Sequence, residues 1–209
     1  MMKAAINQNM SVQDTIISCN IRSIRKNFED FMISTVKKHA IVMCLQETWL
    51  EPGAVDMKLI ENEQWSQKNV CLGRGKGLTT FYQKDFQWTA NVSYKNFQLT
   101  MIQSEEFNLI NVYRSSDAIT SSFLAQLTSL LESAKNSLIV GDFNLCYLSE
   151  RSHPIFKFLE ARNFYQMVEN PTHIEGRMID LVFSNNSNLK CNVYQKAHYF
   201  TDHDILEIR

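Results

Sequence analysis

SLIVGDFN, residues 137–144, is an apolar run too short for a helix, and it ends abruptly in an acid and an amide. Such a run reads as a buried strand, so Asp142 and Asn144 stand where that strand leaves its sheet. In α/β sheets these strand ends border the crevice where ligands bind. The construction recurs along the chain. TIISC (15–19) runs into Asn20, AIVMCLQ (40–46) into Glu47 and LINV (109–112) into Tyr113, while Asp202 and His203 introduce the last strand, 204–208. Each residue alone has an ordinary use as a helix cap, a surface acid or a polar turn. Their joint placement at successive strand ends points to one cleft.

Working outward, helical spacing of apolar residues predicts helices over 24–38, 121–134 and 154–161, and strands at 179–183 and 191–194. Between 70 and 112 the short alternating runs LTTFYQ, FQWTANVSY, FQLTMIQ and FNLINV read as one antiparallel meander. GRGKG (73–77) is a turn into one of these strands, because it lacks the GxxxxGK[ST] spacing of a phosphate loop. Strand runs with helices inserted predict two packed sheets with helices on the outer faces. A single domain is expected over 1–209, with 1–13 a flexible leader.

Formal net charge is -1, from 21 basic and 22 acidic residues. This excludes a strongly basic nucleic-acid module, so any DNA contact must be local. A bound divalent cation would offset repulsion at an acidic cleft. Five cysteines without a CxxC pair suit reduced thiols, which predicts a nuclear or cytoplasmic setting. No apolar run approaches membrane-span length, so no membrane partner is expected. The lack of a Cys/His cluster argues against zinc.

The residue types at the strand ends fit phosphoryl chemistry. Glu47 offers hard oxygen to Mg²⁺, which takes few carboxylates and completes its shell with waters and phosphate oxygens. Asp142, Asn144, Asp180, Asp202 and His203 supply the acid, base and hydrogen-bonding groups that in-line displacement at phosphorus requires.

The ordered set CNIRS, LQETWL, GKGLTTFY, INVYRS, GDFN, IDLVFSN and TDHD, spread over about 15–208, resembles the exonuclease, endonuclease and phosphatase superfamily, in its apurinic/apyrimidinic endonuclease-like branch. The resemblance implies a four-layered α/β sandwich of the DNase I kind. It implies that Glu47 and Asp202 serve the metal, Mg²⁺ with Mn²⁺ as a substitute, and that Asn20 orders the network. It assigns Tyr113 to the scissile phosphate, Asp142 to the attacking water, Asn144 to phosphate or water, and His203, oriented by Asp180, to the growing charge. Which of Asp142 and His203 takes the water proton stays open. NIRSI, VYRSS and PTHIEGRMIDLVF are similar to endonucleases of non-LTR retrotransposons and Helitron-like transposons, which implies fusion to a reverse transcriptase or a helicase and nicking of DNA to a 3′-hydroxyl. Many repair members have Asn-x-Asp where this chain has Asn20-Ile-Arg22, which leaves one carboxylate fewer and favours one metal at Glu47. Arg22, Arg74, Arg114, Thr172 and Arg177 are expected to meet DNA, with Arg25 and Lys76 beside them. The competing readings are an abasic-site repair endonuclease, a phosphatase of the same fold, and an inactive DNA-binding module.

Overall fold

A computed structural model describes residues 14–35, 39–132, 136–186 and 193–209. The leader expected at 1–13, the last residues of the first two predicted helices, and the start of the strand expected at 191 lie outside the described residues. In chain order the elements are β1 (Asp14–Asn20), α1 (Ile24–Thr35), β2 (His39–Gln46), β3 (Trp65–Val70), β4 (Leu78–Gln83), β5 (Gln87–Tyr94), β6 (Phe97–Gln103) and β7 (Asn108–Arg114). They continue with α2 (Thr120–Glu132), β8 (Ser137–Asp142), α3 (Pro154–Glu160), β9 (Tyr165–Gln166), β10 (Asp180–Ser184), β11 (Val193–Lys196) and β12 (Ile205–Ile208).

The strands form two six-stranded sheets, ordered β11-β12-β1-β2-β4-β3 and β5-β6-β7-β8-β10-β9. Side chains alternate between the faces of a strand, and here that alternation sorts the layers. Ile16, Val42 and Cys44 of the first sheet join the core shared with the second, whereas Ile17, Met43 and Leu45 pack with Phe31 of α1. On the far side, Phe123 and Leu127 of α2 and Ile155 and Leu159 of α3 cover the second sheet. Helix, sheet, sheet, helices: the four layers are the expected ones.

The meander between 70 and 112 needs correction. It is not one sheet, because β3 and β4 pair beside β2, whereas β5, β6 and β7 belong to the opposite sheet. The chain changes sheets across the three-residue turn 84–86, where Phe86 plunges into the core. Alternation reports that a segment is extended and half buried. It carries no information on which neighbour completes its ladder. The ladder also starts earlier than expected, at Trp65, because β3 is an edge strand whose polar residues need no apolar face.

Polar side chains tie the two sheets together beneath one end of the sandwich. The Gln46 amide donates to Asn111 Oδ1 at 2.7 Å and to Ser18 Oγ at 3.2 Å, and Asn111 donates to Thr80 Oγ1 at 3.0 Å. All four residues are buried. Breaking such a bond strands a polar group in the core at a cost of about 1–3 kcal/mol, so the network fixes how one sheet sits on the other.

Candidate active site

Strand register sets the first half of the site. In the second sheet Tyr113 on β7 is the direct partner of Asp142 on β8, and Asp142 is the direct partner of Asp180 on β10. This lines up a phenol and two carboxylates across three neighbouring strands. The β7 and β8 backbones approach so closely that a Cβ on Gly141 would stand 2.0 Å from the Val112 carbonyl oxygen, and Gly141 has φ +134°. Only glycine fits there, which accounts for the Gly that precedes Asp142.

The first sheet brings the second half. Asn20 ends β1 beside Gln46 at the end of β2, and Glu47 follows. Asn20 reaches across the sandwich: its amide donates to Glu47 Oε1 at 3.1 Å and to Asp142 Oδ2 at 2.9 Å. Asn144 completes the cradle, donating its backbone N–H to Asp142 Oδ1 at 2.9 Å and its amide to Asp142 Oδ2 at 3.1 Å. Thr201 donates to the Asn20 carbonyl at 2.8 Å and accepts from the His203 backbone N–H at 3.3 Å, which fastens the segment before β12 to the end of β1.

His203 is buried against Asp180, with Nδ1 at 3.0 and 2.9 Å from the two carboxylate oxygens. Burial works against a charged imidazole, but Asp180, with Asp142 and Asp202 behind it, outweighs it and lifts the pKa to about 9. Asp142 moves the other way from an ordinary carboxylate: burial and the neighbouring Asp180 raise it to about 7, against the pull of His203 and the Asn144 N–H. The Tyr113 hydroxyl, raised by burial and by Glu47, stays neutral and donates to the Gly75 carbonyl at 2.8 Å.

Backbone strain concentrates here. Arg22, Ser23, Glu47, Trp49 and Asn144 all have φ between +46° and +89°. Left-handed backbone is uncommon for residues with a Cβ, and such strain persists where the surroundings over-determine it, often at functional sites. At Glu47 the surroundings are visible: Ser23 N–H donates to the Glu47 carbonyl at 2.8 Å and Ile24 N–H to that of Thr48 at 3.0 Å.

Two groups of potential metal ligands each lie within 4.8 Å of one another, Asp142 with Asp180 and His203, and His173 with Asp202 and His203. Hydrogen bonding limits both. His203 Nδ1 is spent on Asp180. His173 Nδ1 accepts from the Glu175 N–H at 3.2 Å, so a neutral His173 carries its proton on Nε2, which faces Asp202 Oδ2 at 3.4 Å as a donor. Hard oxygens remain. Glu47 is half-buried with one donor on each oxygen, Asn20 and Trp49 Nε1 at 3.1 Å, and the buried Asp202 Oδ1 has no hydrogen-bond partner. Carboxylate oxygens of this kind suit a hard divalent cation such as Mg²⁺ or Mn²⁺ better than zinc.

Several expected DNA contacts sit elsewhere. Arg114 is buried, with its guanidinium on the carbonyls of Phe143 at 3.3 Å and Ala118 at 3.0 Å. Its own carbonyl accepts from the Asn144 amide at 3.0 Å. It braces the turn carrying Asn144 and cannot reach a phosphate. Thr172 is also buried, and its hydroxyl oxygen accepts from the Ile179 and Asp180 N–H groups at 3.1 and 3.0 Å, so it fixes the backbone of Asp180 and does not face a ligand. Arg22 is exposed as expected but forms an ion pair with Asp202. Arg74 is exposed over the Trp49 ring, and Arg177 is half-buried in the turn that follows Thr172. Trp49 and Thr201 went unpredicted. The only signal was their position, two residues after Glu47 and two before His203.

The profile of a family described as "Endonuclease-reverse transcriptase" matches residues 107–207, the stretch from β7 into β12. No curated protein matches the sequence. Among solved structures, an AP endonuclease from Archaeoglobus fulgidus aligns with TM-score 0.70 at 15% identity, covering 93% of this chain and 98% of that one. The 3′-5′ exonuclease NExo from Neisseria meningitidis aligns with TM-score 0.69 at 13% identity, over 93% and 98% of the two chains. The endonuclease domain of TRAS1, a telomere-specific non-LTR retrotransposon, aligns with TM-score 0.68 at 13% identity, over 93% and 96%. Just under half of the chain thus resembles that endonuclease family, and the fold of the whole is the one these nucleases share. Among the described residues no helix is long and apolar enough to cross a membrane.

Proposed function

We propose that this domain is a Mg²⁺-dependent DNA endonuclease that leaves a 3′-hydroxyl and a 5′-phosphate, and that it serves as the target-nicking part of a transposable-element protein also containing a reverse transcriptase or helicase. One observation carries the reading: a single amide, Asn20, bonds both Glu47 and Asp142 across the sandwich, while the imidazole of His203 is held against Asp180 on the strand beside Asp142.

The geometry supports a division of labour. His203 is charged at neutral pH and turns Nε2 away from Asp180, which suits it to stabilise charge growing on phosphate oxygens and not to accept a proton. Asp142, buried with a raised pKa, is the better acceptor for the proton of the attacking water. Asn144 and Asn20 hold that carboxylate, and Asn20 also orients Glu47. A divalent ion at Glu47, with Asp202 at its edge, would polarise the phosphate and neutralise the leaving oxygen. Tyr113 lies beside Asp142 and reaches the phosphate by loosening its bond to Gly75. Arg74 and Arg177 on the rim would hold flanking phosphates, which fixes register without reading sequence.

The test is supercoiled plasmid with Mg²⁺, with and without abasic lesions, followed by mapping of the cut ends. Nicked circles whose 3′ ends prime a polymerase support the proposal. Strong preference for abasic plasmid would move the assignment to repair. Release of phosphate from inositol phosphates without nicking would end it.

A further inference from the structure

Trp49 stands between the Glu47 carboxylate and the guanidinium of Arg74. Its indole N–H donates to Glu47 Oε2 at 3.1 Å, and the guanidinium of Arg74 lies over the ring, 5.6 Å from its centre. The residue is not held there by chance of rotamer. Its backbone is left-handed, with φ 56°, and the segment 48–50 is laced to the glycine turn 73–77. Thr48 and Trp49 N–H groups donate to the carbonyls of Gly77 and Lys76 at 3.3 and 2.9 Å, and Gly73 N–H returns a bond to Leu50 at 2.9 Å. Gly77 has no room for a side chain, since a Cβ there would stand 2.8 Å from both Thr48 Oγ1 and the Val70 carbonyl. The lacing fixes the distance from the Glu47 carboxylate, through one aromatic ring, to the cation on the turn.

We propose that Trp49 is a positioning residue that couples ion binding to phosphate binding: its N–H sets the Glu47 carboxylate for a divalent cation, and its ring holds Arg74 pointed at the DNA backbone. The proposal rests on the reading of Glu47 as cation ligand given above. Groups that orient a metal ligand by hydrogen bonding tune the ion as strongly as some ligands do, and a guanidinium over an indole face is held by the ring's negative quadrupole. Phe keeps the face and loses the N–H, so the two roles separate by substitution.

Mn²⁺ affinity, read by electron paramagnetic resonance, should weaken roughly 10- to 100-fold in Trp49→Phe, while binding of a duplex oligonucleotide in EDTA stays at the wild-type level. Arg74→Gln should do the reverse, weakening duplex binding and leaving Mn²⁺ affinity unchanged. Glu47→Gln is the control. If it abolishes Mn²⁺ binding while Trp49→Phe binds as wild type does, the role of Trp49 is overturned and the endonuclease reading stands. If Glu47→Gln also binds Mn²⁺ normally, the ion assignment itself is wrong, and the proposal goes with it. A second measurement does not depend on the folding of Trp49→Phe. The chain has three tryptophans, and a protein carrying Trp65→Phe and Trp88→Phe reports on Trp49 alone. Saturation with Mg²⁺ should shift its emission, and an unmoved spectrum overturns the coupling.

Discussion

The inner wall of the cleft and its rim are built on opposite terms. Asp142, Asp180 and His203 are buried, the two acids on neighbouring strands in fixed register and the imidazole on the segment before β12, and they spend their polar atoms on one another and on Asn20 and Asn144. Arg22, Arg74 and Lys76 ride on turns at the surface, and the Arg22 ion pair with Asp202 is close to half exposed on its arginine side. Arg114 crosses the boundary, an arginine from the end of β7 recruited into the wall. The difference teaches that polar side chains placed by strand register are spent on one another, whereas those on the turns keep their exposure to solvent.

Substitutions can break that contrast from the top down. Asp142→Asn should slow nicking by about 10²–10⁴-fold, the range for a lost general base, with duplex binding retained. Comparable rates in single-turnover assays would remove Asp142 from the chemistry. His203→Gln is expected to cost about 10²–10³-fold in kcat, as for other preorganised donors to a developing oxyanion. A change confined to KM would reassign it to ground-state binding. The two arginines sharpen the comparison next. Arg114→Ala should destabilise the fold by about 1–3 kcal/mol through stranded carbonyls, whereas Arg22→Ala should change stability by less than about 1 kcal/mol because its pair is exposed. Equal denaturation midpoints for the two variants would contradict the placement of Arg114 inside.

The smallest effect is on pH. Folding raises His203 from 6.5 to about 9 and Asp142 from 3.8 to about 7, so the folded protein binds both protons more tightly than the unfolded chain does. The Asp142 contribution is complete below pH 3.8 and fades through about 7, and that of His203 is complete below 6.5 and fades through about 9. In EDTA the melting temperature should therefore fall between pH 6.5 and 9, and His203→Gln should flatten that interval. A wild-type melting temperature that rises there would refute the charged pair.

What the sequence made legible follows the same boundary. Asn20, Glu47 and Asp142 were readable as cleft candidates because apolar runs end in them, and Asp202 with His203 because they introduce one, and a strand end is a place as well as a residue type. The four layers followed from strand and helix order. The split of the meander did not, since the turn 84–86 is as short as a hairpin and nothing local distinguishes crossing between sheets from doubling back. Nor did the inward turn of Arg114 and Thr172, whose polar chemistry fits a carbonyl or a backbone N–H as well as a phosphate. Side-chain direction at those positions depends on partners 29 residues away for Arg114 and 7 and 8 residues away for Thr172.

The antiparallel pairing of β12 with β1 has a consequence for synthesis. A nascent chain halted before His203 already holds Glu47 and Asp142, yet it lacks the imidazole and leaves an outer flank of its first strand open. The proposed site is therefore assembled only once β12 has been made and zips onto β1, a strand translated nearly two hundred residues earlier.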